Sequence, residues 1–301
     1  MCRYSLGCTL AVCLQAPVSG RFAVVDYYLV MQVRETLTLI PSQKPISWVR
    51  VQGMAKARLS YPDAKSFYNM LDAISKIVDE LAMTITPNGV KAIALDPAHV
   101  ALMVMELPPE SFIEYEVEDE VKLGFNVANI AKIIKRGKKG DKLDIEVDED
   151  RVTWSIVGAT IKRYRLLNLD VPVPELPEAE LEFKVHVSLI VDPFKNALKD
   201  AEAVGDTVEL EAPDDTTLII RGVGAAVAET KIRSDTPAVV EFNVEEPSKS
   251  AYSIEYLKHM LSLTKVADTI TIEFAQDMPL RLQFRLPAGG NVTYLLAPKA
   301  A

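Results

Sequence analysis

The sequence predicts an α+β protein built from two tandem copies of one module, each copy carrying two helices packed on an antiparallel sheet. Two observations carry that prediction. A single offset, 194 − 67 = 127, lays the apolar skeleton of the second half of the 301-residue chain on the first, from Phe67/Phe194 to Val147/Phe274. The same shift pairs Leu71/Leu198, Ile93/Ile220, Val100/Val227, Val127/Ile254, Ile130/Leu257, Ile134/Leu261, Leu143/Ile270 and Ile145/Ile272. Within each copy the apolar spacing also switches between helical and strand periods, in the order helix, strands, helix, strands.

Residues 1–53 have no counterpart in the repeat. They read either as an extension, with Val24, Val25, Tyr27, Tyr28, Leu29 and Val30 as an added strand, or as sequence ahead of a start at Met54. Leu6–Ala16 behind Arg3 resembles a secretory signal only faintly, because Gly7, Thr9 and Gln15 interrupt it. In the first copy, residues 54–165, Pro62-Asp63 enters a helix whose inward face is Ala64, Phe67, Leu71, Ile74 and Val78. Strands follow at Leu81–Ile85 and Val90–Leu95 about the turn Thr86-Pro87-Asn88-Gly89, then at alternating Val100, Leu102 and Val104, then at Phe112–Val117. Val127–Lys135 returns to the helical period, Gly137 and Gly140 stop it, and Leu143, Ile145 and Val147 alternate as a strand.

The second copy, residues 183–301, restates that order. Its helices are expected at Leu189–Ala203 and Ile254–Leu263, and its strands at Thr207–Glu211, Leu218–Arg221, Ala226–Ile232, Thr269–Phe274 and Leu280–Leu286. Between the copies, residues 166–182 hold Pro172, Pro174 and Pro177, which prevent a helix and favour an extended connector.

Composition narrows the chemistry. Cys2, Cys8 and Cys13 all precede the repeats, so neither copy can hold a disulfide or a thiolate metal site, as expected of an intracellular module. With 42 acidic and 33 basic residues the net charge is −9, so any nucleic-acid contact has to be local. No stretch is apolar enough to span a bilayer. His99, His186 and His259 share no metal-ligand or dyad spacing, and Glu114, Glu116, Glu118, Asp119 and Glu120 read as the solvated side of a strand. Gly222-Val-Gly224 follows an apolar run as a dinucleotide loop would, but leads into a strand pattern rather than a helix. No catalytic residue, metal or cofactor is expected.

The helices carry the informative charge. Lys132, Lys135, Arg136 and Lys139, with Lys138 beside them, face away from Val127, Ile130 and Ile134. The other three helices bear Lys65 and Lys76, Lys195 and Lys199, and Lys258 and Lys265. In an acidic protein four such helices suggest one shared surface that meets a polyanion backbone. No aromatic residues interleave these lysines in a base-stacking pattern, and no helix carries a set of base-reading side chains, so binding is expected to ignore nucleotide sequence.

From Met54 onward the chain resembles the DNA sliding clamps of the proliferating cell nuclear antigen family, nearer the archaeal than the animal members. The resemblance rests on Asn88-Gly89-Val90 leading to Leu95-Asp-Pro-Ala-His99-Val100-Ala-Leu102, on Leu169-Asp-Val-Pro with Leu176-Pro177, on Asp277-Met-Pro279-Leu280, and on Tyr294-Leu-Leu-Ala297-Pro298-Lys299. It implies a ring of three subunits, identical or with diverged sisters, whose helices line a hole holding double-stranded DNA. Lys132, Lys135, Lys199 and Lys265 match the family's DNA-facing positions, and Lys65, Lys76, Lys195 and Lys258 lie on equivalent helices. It further implies a pocket under the connector, formed by Leu95, His99, Val100, Leu102, Val171, Leu176, Pro177, Pro279, Leu295, Ala297 and Pro298. That pocket would take a short apolar motif of DNA polymerase, flap nuclease, DNA ligase or clamp loader. The expected role is non-enzymatic: a processivity factor of DNA replication and repair, working with the chromosome in cytoplasm or nucleus. A checkpoint clamp of the same fold and an enzyme with a cleft between the copies are the alternatives.

Overall fold

A computed structural model describes residues 27–28, 40–41, 56–175 and 181–299 of the chain. Two units separate, Met1–Met54 and Ala55–Ala301. In the first, strand β1 (Tyr27–Tyr28) pairs antiparallel with β2 (Ile40–Pro41). Tyr27 and Tyr28 therefore are in a strand, while Val24, Val25, Leu29, Val30 and the segment Leu6–Ala16 lie outside the described residues.

In the second unit, the first copy runs β3 (Ala57–Tyr61), α1 (Ala64–Ile74), β4 (Glu80–Thr86), β5 (Gly89–Leu95), β6 (Ala101–Leu107), β7 (Glu114–Val117), β8 (Val121–Asn126), α2 (Val127–Ile134), β9 (Lys142–Val147), β10 (Arg151–Val157) and β11 (Ile161–Leu167). The second copy runs β12 (Val185–Ile190), α3 (Val191–Val204), β13 (Gly205–Ala212), β14 (Thr217–Gly224), β15 (Val227–Arg233), β16 (Val239–Val244), β17 (Ser248–Ser253), α4 (Ile254–His259), β18 (Thr269–Phe274), β19 (Leu280–Arg285) and β20 (Asn291–Leu296). After α4 the chain continues as a 3₁₀ turn, Met260–Lys265.

Several helix ends differ from the periodic reading because the last turns tighten. Asp63 caps α1 by accepting from the backbone of Lys65 and Ser66, both at 3.2 Å. At the other end Lys76 and Ile77 donate to carbonyls three residues back, at 3.2 and 2.9 Å, so Val78 and Lys76 fall beyond the helix. In the same way Arg136 and Gly137 bond three residues back after α2, which puts Arg136, Lys138 and Lys139 in the following turn. Leu189 belongs to β12 rather than to the helix after it. Phe112 and Ile113 precede β7, behind a 3₁₀ turn at Pro109–Ser111, and Val100 precedes β6.

Among the described residues every strand pairing is antiparallel, and the second unit has three sheets: β11-β10-β9-β3-β7, β15-β14-β13-β17, and a nine-stranded sheet β16-β12-β18-β19-β20-β6-β5-β4-β8. The large sheet joins five strands of the second copy to four of the first where β20 meets β6. The two copies thereby share a continuous sheet, and the helices bury their inward faces against the sheets through residues such as Phe67, Leu71, Ile130, Phe194 and Leu257. Gly222 in β14 shows how closely α3 packs on the four-stranded sheet: a Cβ there would lie 2.4 Å from the Ala201 Cα of α3. The glycine pair that imitates a nucleotide loop is thus a strand segment that lets a helix lie on the sheet.

The registers refine the repeat. Met83 faces Ala92 in β4–β5 and Leu210 faces Ile220 in β13–β14, so Ala92 rather than Ile93 is the counterpart of Ile220, an offset of 220 − 92 = 128. Ala92 faces Met105 while Ile220 faces Thr230, so the next strand sits at 230 − 105 = 125 and Val227 corresponds to Leu102 instead of Val100. Two of the expected pairs are thus displaced by hairpins of unequal length, one longer and one shorter in the second copy. The helices, β4 and β9 keep the offset of 127, because their positions are held by the core rather than by the hairpins.

Candidate functional site

The four helices stand in one row. α1 packs against α2 on one side and the Met260–Lys265 turn on the other, and α4 with that turn borders α3. The Ser262 hydroxyl donates to Asp72 across the junction of the copies, and Asp72 also accepts from Tyr68 at 3.1 Å. The exposed side of this layer carries Lys65, Lys76, Lys132, Lys135, Arg136, Lys138, Lys139, Lys199, Lys258 and Lys265, with Lys195 half-buried.

Two of these charges are engaged. Lys195 pairs with Asp192, and Lys258 pairs with Glu202 at 2.8 Å. Among the described residues none of the others has a carboxylate within ion-pair distance, so a strip of unneutralised cations runs across both copies. One aromatic side chain lies among these lysines, without forming a base-stacking series. Tyr68 lies between Lys65 and Lys135, whose Nζ atoms sit 4.8 and 6.0 Å from its ring centre. His259 adds no charge to the strip at neutral pH, because burial holds it below the usual imidazole range.

The three sheets end at six edge strands; β8 and β17 are covered, β11 and β15 are open, and β7 and β16, with Val240 exposed, complete the set. At β8 the edge is occupied: Asn168 accepts from the Gly124 amide at 2.8 Å and donates to the Lys122 carbonyl at 2.9 Å, and the Leu169 amide donates to Gly124 at 2.9 Å. At β17 the Lys299 amide does the same to Ala251 at 2.7 Å. By contrast β11 and β15 are open and carry apolar residues in solvent, Ile161 and Leu167 on one and Val227 on the other, each more than 60 % exposed. Beside β11 lies a recess of about 310 Å³ lined by Phe125, Asn129, Ile130, Trp154, Leu166 and Leu167.

The expected apolar pocket is partly assembled on the sheet face away from the helices. Leu95 faces Leu102 and Leu102 faces Leu295 across three adjacent strands, and the Ala297 amide donates to Val100 at 2.9 Å. Leu102 is buried, while Leu95, Val100, Pro279, Leu295, Ala297 and Pro298 are half-buried and His99 is exposed at the end of a turn closed on Asp96. Val171 is not beside this group; it packs near Gly124 at the β8 edge, with β4 intervening. Leu176 and Pro177 lie outside the described residues. The connector leaves β8 and re-enters the sheet at β12, so its ends flank the strands that bear the apolar row.

A polar constellation adjoins the row and has no counterpart in the sequence reading. Glu273 accepts from Arg281, from His186 at 2.9 Å and from Gln283 at 3.1 Å, and Arg281 stacks on Phe183 at 4.4 Å. Alternating strand positions could have placed these residues on one face, but their pairing needed the register.

Comparison with known proteins gives a consistent answer. The N-terminal domain of the proliferating cell nuclear antigen family matches residues 54–181, and its C-terminal domain matches residues 176–299. DNA polymerase sliding clamp 1 of Aeropyrum pernix is 39 % identical over 241 residues, covering 78 % of this chain and 97 % of that protein. DNA polymerase sliding clamp 1 of Sulfolobus acidocaldarius is 38 % identical over 245 residues, covering 80 % and 99 %. Among solved structures, the PCNA2–PCNA3 complex from Sulfolobus tokodaii superposes with a TM-score of 0.77 at 24 % identity, over 81 % of this chain and all of that one. PCNA from Thermococcus kodakaraensis gives 0.76 at 25 %, with the same coverage.

Proposed function

Since this chain belongs to the proliferating cell nuclear antigen family and is a DNA polymerase sliding clamp, we propose how its surfaces do that work. The cationic row on the helices faces duplex DNA inside a ring of three subunits. Retention is topological, so the lysines need only weak, sequence-independent phosphate contacts, and weak contacts permit sliding. Lys65, Lys76, Lys132, Lys135, Lys199 and Lys265 carry this role on or beside the four helices. Arg136, Lys138 and Lys139 extend it from the turn after α2. Lys195 and Lys258 contribute less, because each already has a carboxylate partner.

The ring closes where β11 of one subunit pairs with β15 of the next. The observation that carries this is the β20–β6 joint inside the chain. Tyr164 stands opposite Trp154 as Tyr294 stands opposite Leu282, so β11 is the counterpart of β20. β15 is likewise the counterpart of β6. Tyr294 faces Met103 and Thr293 faces Val104 in the internal joint. Repeating that register between identical subunits sets Tyr164 opposite Ala228 and Arg163 opposite Glu229, which makes a second nine-stranded sheet from five strands and four. The recess beside β11 is covered by the same contact. Sister subunits with similar edges could fill either neighbouring place.

Client enzymes, among them polymerase, flap nuclease, ligase and clamp loader, dock a short apolar segment on Leu95, Leu102 and Leu295 beneath the connector. Each buried side chain contributes about 1.5–3 kcal/mol before ordering costs, which suits exchangeable binding. The chain serves at the chromosome as a tether, without turnover of its own. Mass measurement and particle imaging of the purified chain, alone and mixed with sister clamp subunits, test the ring. A closed three-membered particle is expected, and Arg163→Glu should weaken it while Arg163→Glu with Glu229→Arg restores it. Only monomers in every mixture would overturn the assembly.

A further inference from the structure

The apolar row under the connector does not stop at Leu295. The same cross-strand file continues Leu95, Leu102, Leu295, Arg281, Glu273, His186, each directly opposite the next on adjacent strands. Directly opposed residues have Cβ atoms only about 5 Å apart, so the charged half begins one residue-width from the apolar half.

We propose that this charged half is a second subsite of the client cleft, in which Arg281 reads a carboxylate flanking the client's apolar segment. The inference rests on the clamp reading of the cleft. Arg281 is held in place on two sides. One edge of the guanidinium, through Nε and Nη2, binds Glu273, and one flat face lies on the Phe183 ring at 4.4 Å. Among the described residues its Nη1 has no acceptor, and about a third of the side chain (31 %) remains exposed. A fork fixed in this way loses little freedom when it accepts a partner, and a carboxylate is the acceptor it fits best.

Anchoring the connector alone does not account for the arrangement. Glu273 is nearly sealed from solvent, at 7 % exposure, and four donors from three side chains converge on it: Nε and Nη2 of Arg281, Nδ1 of His186 and Nε2 of Gln283. It has no capacity left for a client group and serves to orient Arg281. His186 closes the far end, its Nε2 3.2 Å from the Phe183 carbonyl at the point where the connector rejoins the sheet. Glu273 lies on the strand to one side of Arg281 and Leu295 on the strand to the other, so the donor left over stands next to the apolar row.

The test uses the intact chain and fluorescein-labelled peptides of about twelve residues, each with an apolar segment and one Glu scanned through the flanking positions, against matched Gln peptides. At one flank position Glu should bind about fivefold tighter than Gln at low salt, and the preference should shrink as salt rises. In the double variant Arg281→Gln with Glu273→Gln, which keeps a neutral hydrogen-bonded pair, the preference for Glu over Gln should vanish. Glu and Gln peptides of equal affinity at every position on the native chain would overturn the proposal, and that comparison needs no variant to fold. Persistence of the preference in a folded double variant would overturn it too. If no apolar peptide bound the native chain, the cleft reading would fall and this subsite with it.

Discussion

Gly124 is the point where the start of the connector is fastened to the sheet, and substituting it with Ala tests whether that fastening shapes the client cleft. A Cβ on Gly124 would sit 2.0 Å from the Leu169 carbonyl oxygen and 3.2 Å from Val171 Cγ2, so the connector must move away. Moving it breaks the Leu169 and Asn168 hydrogen bonds to Gly124 and strains the Asn168 bond to Lys122, three hydrogen bonds of 2.8–2.9 Å. At roughly 0.5–1.5 kcal/mol net for each, Gly124→Ala should cost about 2–3 kcal/mol. For a body of this size that is a fall in Tm of about 5–10 °C. Asn168→Ala removes two of the three bonds without a clash and should cost about half as much. Both variants should also weaken an apolar client peptide, because the connector then leaves β8 along a different path. Thermal melts and fluorescence titration measure the two effects. A lower Tm with unchanged peptide affinity would refute the coupling, and an unchanged Tm would refute the fastening itself.

Three further outcomes follow from the electrostatics. Lys132→Glu with Lys135→Glu should leave the melt unchanged and reduce clamp-dependent DNA synthesis, with the logarithmic salt slope falling by about 0.9 for each phosphate that is no longer neutralised; unaltered synthesis and slope would count against the helix row as the DNA surface. Glu202→Gln should release Lys258 from its 2.8 Å ion pair and strengthen DNA association at low salt, and a weakened or unchanged association would place Lys258 outside the interface. Burial pushes the Glu273 carboxyl up, but the hydrogen bonds and charges of Arg281 and His186 outweigh it and leave the group below its ordinary value of 4.5. Its contribution to stability is therefore complete above that value and is lost as pH falls below it, so Glu273→Gln should flatten the acid limb of a Tm–pH curve; parallel curves would refute this.

The sequence was most legible where a residue's role is decided by its own segment. Helical spacing at Ala64, Phe67, Leu71 and Ile74 and the Asp63 cap identify α1 without reference to the rest of the chain, and Thr86-Pro87-Asn88-Gly89 marks its hairpin in the same way. Less visible were β3, β8, β10, β11, β12, β16, β17 and β20. Val121-Lys-Leu-Gly-Phe125 alternates but is short and carries a glycine where the connector crosses, and Ile161-Lys-Arg-Tyr-Arg-Leu166 alternates only loosely at a free sheet edge. The lysines of the helix row could be named one by one, but their number of free charges could not. That Lys195 and Lys258 are engaged depends on Asp192 one turn away and on Glu202 of another helix. Likewise Leu95, Leu102 and Leu295 were recognisable by resemblance, whereas the neighbouring Arg281–Glu273–His186 group was not, since only the sheet register unites residues 186, 273 and 281.

The repeat that dominates the sequence also explains why one chain has both a closed joint and an open one. If the two copies were identical, the surface that β6 offers to β20 would recur as β15, and the surface that β20 offers would recur as β11. A chain of two such modules can satisfy one joint internally and must leave one of each surface exposed at its ends. Ile161, Leu167 and Val227 stand exposed on the two strands that correspond to β20 and β6, whose outer edges have no partner among the described residues. The copies differ at the turn between these strands: the hairpin before β15 is three residues shorter than the turn before β6, which carries His99 and Val100 beside Leu95 and Leu102. The shorter hairpin keeps β14 and β15 paired but has no counterpart of His99 and Val100. Such edges close into a ring only if the turn between successive joints is constant, and two modules sharing a single sheet supply that constancy.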